Sequence, residues 1–289
     1  MKYVKNQQPS MPIPAQELHL MSGEEVPYYL YLPGNINETT SIFVAIHGYK
    51  RNVEDHAKSF APYAEKHGFV LVAPLFSKKK FRDYQRLGRN GNGSRADFAL
   101  KRIISRVISI VGIENRKLSL FGYSGGGQFV HRYAMAYPSD VFKAVIAAAG
   151  WYTFPDPATE YPFGIKRSAR LQDINFSPSC FLSVPMCILV GEHDNIRDQD
   201  FRQSPFLDQN QGITRIERGR RWAKVMAAAA RSYNMHTAYR FKMLPKAGHS
   251  FFECMQQGEM AKHTFEFLLD RPDKDHTMNN LKSVSGRFR

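Results

Sequence analysis

Residues 118–130 read Leu-Ser-Leu-Phe-Gly-Tyr-Ser-Gly-Gly-Gly-Gln-Phe-Val, and no other stretch constrains the fold as much. A short apolar run ends in Gly122-Tyr123-Ser124-Gly125-Gly126, and a helical pattern follows. That is a Gly-x-Ser-x-Gly turn between a strand and a helix. The turn is so tight that the serine takes a strained backbone conformation. Glycines two positions to either side let strand and helix pass closely. The serine hydroxyl is then exposed at the carboxyl edge of a sheet, at the start of a helix whose free N–H groups favour negative charge.

Other glycine-rich turns fit less well. A phosphate loop needs Lys followed by Ser or Thr after its glycines, and Gln128-Phe129 stand there instead. A dinucleotide fingerprint needs Gly-x-Gly-x-x-Gly, which Gly122-x-x-Gly125 does not supply.

The surrounding chain alternates strands and helices. Strand patterns cover 26–32, 42–46, 69–73, 117–121, 143–149, 184–190 and 237–244. Helical patterns cover 55–67, 95–111, 125–137, 213–233 and 252–269. Ser94, with Asp97 three residues on, reads as the cap of the second helix. This order predicts an α/β fold, a mostly parallel sheet with helices on both faces. Two segments exceed a minimal plan: 151–180, rich in Pro and aromatics, and the polar stretch 195–212. Both follow strands, so both are expected as lid-like walls at the carboxyl edge, where ligands bind in open α/β sheets.

A serine hydroxyl needs a base, and the base needs a third group to orient it. His249, in Leu244-Pro-Lys-Ala-Gly-His, follows the last strand and so falls at the same edge as Ser124. Asp194 ends the turn Gly191-Glu-His-Asp after another buried strand; Asp156, Asp173 and Glu192 are its rivals. The order Ser124, Asp194, His249 is the one such a fold predicts. An oxyanion hole needs preorganised N–H donors. Gly125, the residue after the nucleophile, supplies one. Tyr49 supplies the other, from His47-Gly48-Tyr49 after the strand at 42–46, with His47 packed beneath the loop. Trp151, Tyr152 and Phe154 are candidate walls of the substrate pocket.

The 43% of hydrophobic residues is enough for one large core, so 1–270 reads as a single domain and 271–289 as a polar, basic tail. Three cysteines in apolar contexts, Cys180, Cys187 and Cys254, are too few for a disulfide framework or a zinc site. No cofactor or metal is expected. No stretch approaches the ~18 apolar residues of a membrane span, and the first residues lack the apolar core of an export signal; a cytoplasmic protein is expected. The net charge of +14 is spread over scattered basic groups without a nucleic-acid motif, so no nucleic-acid partner is expected.

Taken together, Phe43-Val-Ala-Ile-His-Gly-Tyr49, Gly122-Tyr-Ser-Gly-Gly126, Gly191-Glu-His-Asp194 and Gly248-His249 resemble the α/β-hydrolase superfamily. Within it the chain looks most like the polyhydroxybutyrate-depolymerase and feruloyl-esterase-like group. The resemblance implies a serine hydrolase that cleaves small-molecule carboxylic esters through an acyl-enzyme. An amidase or acyl-aminopeptidase would use the same groups, and a non-catalytic binding protein on this fold would use the basic surface. The Arg-rich run 215–221 is read as a feature favouring an acidic substrate.

Overall fold

The computed structural model describes residues 14–22, 26–88, 93–167 and 173–270. In chain order the elements are β1 (Leu18–Met21), β2 (Tyr28–Tyr31), β3 (Ser41–Ile46), α1 (Val53–His67), β4 (Phe69–Pro74), α2 (Ala96–Val111) and β5 (Leu118–Tyr123). There follow α3 (Gly125–Ala136), β6 (Val141–Ala147), α4 (Pro178–Phe181), β7 (Met186–Gly191), α5 (Pro205–Asn210), α6 (Arg215–Ser232), β8 (Tyr239–Leu244), α7 (Phe251–Gln256) and α8 (Met260–Leu269). The strands form one sheet in the order β1-β2-β4-β3-β5-β6-β7-β8. β1 and β2 pair antiparallel, as do β2 and β4; every later pairing is parallel.

The period-two alternation of β3 splits the core between the two faces of the sheet. Ile42, Val44 and Ile46 pack with Leu100 and Val107 of α2, Phe129 of α3 and Trp222 of α6. Phe43 and Ala45 pack with Phe60 of α1 and Phe265 of α8. The Phe43 ring lies 5.1 Å from Phe60 and 5.0 Å from Phe265. A phenylalanine buried this fully stabilises by about 1.5–3 kcal/mol. Helices on both faces leave ligands only the sheet's edges. The strand order reverses direction at β3, since β4 lies to one side and β5 to the other, and ligand sites form at such switch points.

Four details depart from the sequence reading. β1 is an added edge strand, too short to show a pattern. Residues 252–269 are two helices, because Gly258 comes against Leu244: a Cβ at Gly258 would lie 2.8 Å from that side chain. Glu259 then takes a left-handed conformation, φ 47°, before α8. Ser94 does not cap α2; Arg95 holds the capping position and its side chain forks Asp97 at 2.8 and 2.6 Å. The stretch 195–212 contains α5, whose cap Ser204 accepts the Leu207 N–H at 3.2 Å. The 271–289 tail, and 168–172 within the first lid-like segment, lie outside the described residues.

Candidate active site

Ser124 sits between β5 and α3 with φ 52° and ψ −110°, the strained turn expected of the motif. Glycine is required around it by close approach. A Cβ at Gly122 would lie 2.2 Å from the Gly126 carbonyl oxygen, and one at Gly126 would lie 2.2 Å from that of Ile46. β5, α3 and the end of β3 therefore meet backbone to backbone, and the serine is the side chain that projects.

His249 follows β8. Its Nδ1 donates to Asp194 Oδ2 at 2.8 Å, and its Nε2 faces Ser124 Oγ at 3.3 Å. With Nδ1–H turned to the carboxylate, Nε2 is left to accept the serine proton. The acid turn and the histidine loop are tied by backbone hydrogen bonds. Glu192 N–H donates to Leu244 O at 2.9 Å and His193 N–H to Ala247 O at 2.9 Å. The Glu253 carboxylate accepts the Gly248 N–H at 3.0 Å. The Tyr123 ring stacks on the imidazole at 5.6 Å. The rival carboxylates are engaged elsewhere: Asp156 with Ala158 and Thr159, Asp173 with Arg95, and Glu192 with the Lys246 N–H.

The loop after β3 lies against the nucleophile. A Cβ at Gly48 would touch the Ser124 side chain at 3.6 Å, and one at Gly125 would lie 3.5 Å from Tyr49 N. Among the described residues, neither the Tyr49 nor the Gly125 N–H donates to another protein group. His47 is buried beneath the loop. Its Nδ1 donates to Gly48 O at 2.8 Å while its Nε2 accepts the Phe76 N–H at 3.0 Å. Burial pushes its pKa down to about 4, so it stays a neutral brace at physiological pH.

The proteins that this chain is similar to include esterases and depolymerases. Residues 26–158 match the family described as Esterase PHB depolymerase. The chain is also 27% identical over 126 residues to the probable acetylxylan esterase A of Aspergillus clavatus, a match covering 42% of this chain and 41% of that protein. Among solved structures, poly(aspartic acid) hydrolase-1 from Sphingomonas sp. KT-1 superposes with a TM-score of 0.73 at 26% identity, over 88% of this chain and 99% of that one. The poly(3-hydroxybutyrate) depolymerase of Bordetella parapertussis superposes with a TM-score of 0.69 at 23% identity, over 88% and 87%. The chain has the α/β-hydrolase fold. Its likeness within that fold is to the PHB-depolymerase and esterase group. The family match ends before Asp194 and His249, so their pairing with Ser124 rests on the distances above.

Ser124 and His249 open into a cleft of about 800 Å³. Tyr49, Gln128, Trp151, Arg202 and Phe252 are among its walls. Of the three aromatics named from the sequence as pocket walls, only Trp151 lines it. Tyr152 is wholly buried and stacked on Trp222 at 5.1 Å, because the Gln211 amide pairs with its backbone N–H and C=O and pins it against the core. Phe154 packs against that same core. Both lid-like segments nevertheless reach the cleft, the first through Trp151 and the second through Asp198, Gln199, Asp200 and Arg202.

None of the residues 215–221 is among the walls of that cleft. Arg218 is buried, donating to Gly212 O, Gly150 O, Arg202 O and Asp208. Arg215, which the sequence reading missed as a site residue, is 2% exposed and donates from Nη1 to Asp194 Oδ1 at 2.9 Å. It thus holds the oxygen of the acid that His249 does not use. No local sequence signal separates this inward arginine from its exposed neighbours Arg220 and Arg221. Among the described residues, no group of three His, Cys, Asp or Glu side chains is placed to hold a metal ion. No described helix is long and apolar enough to cross a membrane.

Proposed function

We propose that this α/β-hydrolase cleaves carboxylic esters through an acyl-enzyme on Ser124. The carrying observation is the line from Ser124 Oγ to His249 at 3.3 Å and on to Asp194 at 2.8 Å, mounted on a strained turn at the mouth of a cleft. His249 takes the serine proton as Oγ attacks the acyl carbonyl, then returns it to the leaving alcohol. The separation of 3.3 Å leaves the hydroxyl proton within reach of the imidazole. Asp194 keeps the imidazole in the right tautomer and stabilises its positive charge. The Tyr49 and Gly125 N–H groups receive the oxyanion. A water, activated by the same histidine, then releases the acid. Kinship with an acetylxylan esterase and a polyester depolymerase supports the ester reading.

The test joins fluorophosphonate labelling with turnover of p-nitrophenyl esters from acetate to palmitate, on the wild type and Ser124→Ala. Label on Ser124 and ester turnover lost in the variant are expected. A variant that keeps a tenth of the activity would end the nucleophile assignment. A second reading, hydrolysis of an amide by the same groups, is favoured by the likeness to poly(aspartic acid) hydrolase-1. Relative turnover of matched esters and amides separates the two.

A further inference from the structure

Gln85, Arg86, Gln128, Trp151 and Arg202 are among the walls of the Ser124 cleft. Arg202 stands on the loop after β7, its guanidinium 5.1 Å over the Trp151 ring and 5.7 Å from Phe163. A second guanidinium, Arg132, lies 4.2 Å from the same Trp151 ring. Arg132 is wholly buried. It donates to Thr153 Oγ1 at 2.9 Å, Gln85 O at 2.6 Å and Gln128 O at 3.2 Å, and its Nη2 has no protein partner among the described residues. Burial, with Arg86 and Arg202 nearby, lowers its pKa to about 10, so it remains a cation at neutral pH.

Among the described residues, Asp83 is a buried carboxylate beside these arginines, paired with Arg86. Arg202 has no ion pair and no hydrogen bond on its guanidinium among the described residues. The charged groups acting on it are Arg86, which disfavours its charge, and Asp83, which favours it. Asp198 and Asp200 also line the cleft. Asp198 is turned toward Arg215 at 3.7 Å and accepts the Asp200 N–H at 3.0 Å; the Asp200 carboxylate is exposed. Cations crowded this way repel one another. Planar guanidinium forks beside an aromatic wall and two glutamine side chains form a ready receptor for a carboxylate.

We propose that Arg202, set against Trp151 in the Ser124 cleft with Arg86 nearby, binds a carboxylate of the substrate remote from the bond that is cut. The inference rests on the esterase reading above and narrows its substrate class to esters of dicarboxylic or other anionic acids. Arg202 is then a specificity residue, with Arg132 beneath Trp151 adding fixed positive potential.

The experiment compares p-nitrophenyl hydrogen adipate with the neutral p-nitrophenyl heptanoate, using wild type, Arg202→Gln and Arg202→Lys. The heptanoate serves as each protein's own reference, so the ratio of kcat/KM reads the charge alone. The wild type should prefer the adipate. Arg202→Gln should reduce that preference about tenfold, mainly through KM, and Arg202→Lys should keep part of it. Raising salt from roughly 20 to 300 mM should shrink the wild-type preference, because exposed charges are screened over about 10 Å at 0.1 M. A wild-type ratio near one, or a ratio unchanged within twofold in Arg202→Gln, overturns the subsite and leaves the esterase reading standing. Should none of the proteins cleave either ester, the esterase reading fails. Calorimetric binding of adipate then decides the subsite separately: about tenfold weaker binding to Arg202→Gln supports it, and equal binding overturns it. Unfolding temperatures of the variants confirm that each is folded.

Discussion

The two halves of the candidate site are held in place by different physics. The nucleophile half, where β3, β5 and α3 meet, is defined by backbone against backbone at Gly122 and Gly126. The acid–base half, in the loops after β7 and β8, is positioned by hydrogen bonds and by charge. Its centre is the Arg215–Asp194–His249 chain at 2.9 and 2.8 Å. The first half tolerates no added atom; the second tolerates no lost partner. A tight turn needs only the room that glycine leaves between backbones. A histidine and a carboxylate 55 positions apart in sequence need groups that reach across a gap.

The proton path between the halves starts at Ser124 Oγ, so removing that oxygen should have the largest effect. Ser124→Ala should lower kcat/KM for a p-nitrophenyl ester by about 10⁴-fold or more while leaving the unfolding temperature nearly unchanged. A large drop in that temperature would mean that the hydroxyl also holds the halves together.

Breaking the charged half comes next. Arg215 and Asp194 are 2% and 1% exposed, and removing one member of so buried a pair costs about 3–5 kcal/mol. Arg215→Met should therefore lower urea stability by that order and reduce kcat as well. Adding Asp194→Asn should recover part of the stability while destroying activity. A double variant no more stable than the single one would show that packing, and not charge, fixes this half.

Gly126→Ala attacks the other half. Its Cβ would fall 2.2 Å from one carbonyl oxygen and 2.6 Å from the next, so a loss of at least about 3 kcal/mol is expected in denaturant unfolding. Wild-type stability for this variant would show that the β3–α3 contact yields more easily than the geometry implies.

Acid should also act on the nucleophile half. Burial lowers the His47 pKa from 6.5 to about 4, and pushes His56 and His131 well below 6.5 too. Below pH 6.5 the unfolded chain binds protons that the folded one refuses, so stability is full above pH 6.5 and is lost as pH falls toward 4. The His47 share reaches about 3 kcal/mol. His47→Gln keeps a donor and an acceptor but cannot titrate, and it should flatten the pH dependence of unfolding by close to one proton. An unchanged slope would mean that His47 is protonated in the folded state.

Most of this frame was legible because it is written locally. Apolar runs closed by Gly or Pro marked the buried strands, and the spacing of Phe98, Ile103, Ile104 and Val107 marked α2. Each candidate acid and base followed such a strand, which placed it at the carboxyl edge. What could not be read had its cause far away in the chain. β1 is a strand because β2 offers it a partner, Leu18 opposite Tyr31. The last helical run breaks at Gly258 because Leu244 lies beneath it. Tyr152 and Phe154 match Trp151 in composition, yet only Trp151 faces the cleft.

By itself, then, the sequence determined the turn at Ser124, the alternation of strand and helix, and the chain order of nucleophile, acid and base. Each follows from short-range rules: the space that a glycine leaves, the period of apolar residues, and the residue types that proton transfer demands. Tertiary structure alone decided which arginine turns inward to Asp194 and which stands over Trp151 in the cleft. An arginine's stem is long and apolar and its charge must find a partner, so its role depends on what the fold brings within its reach.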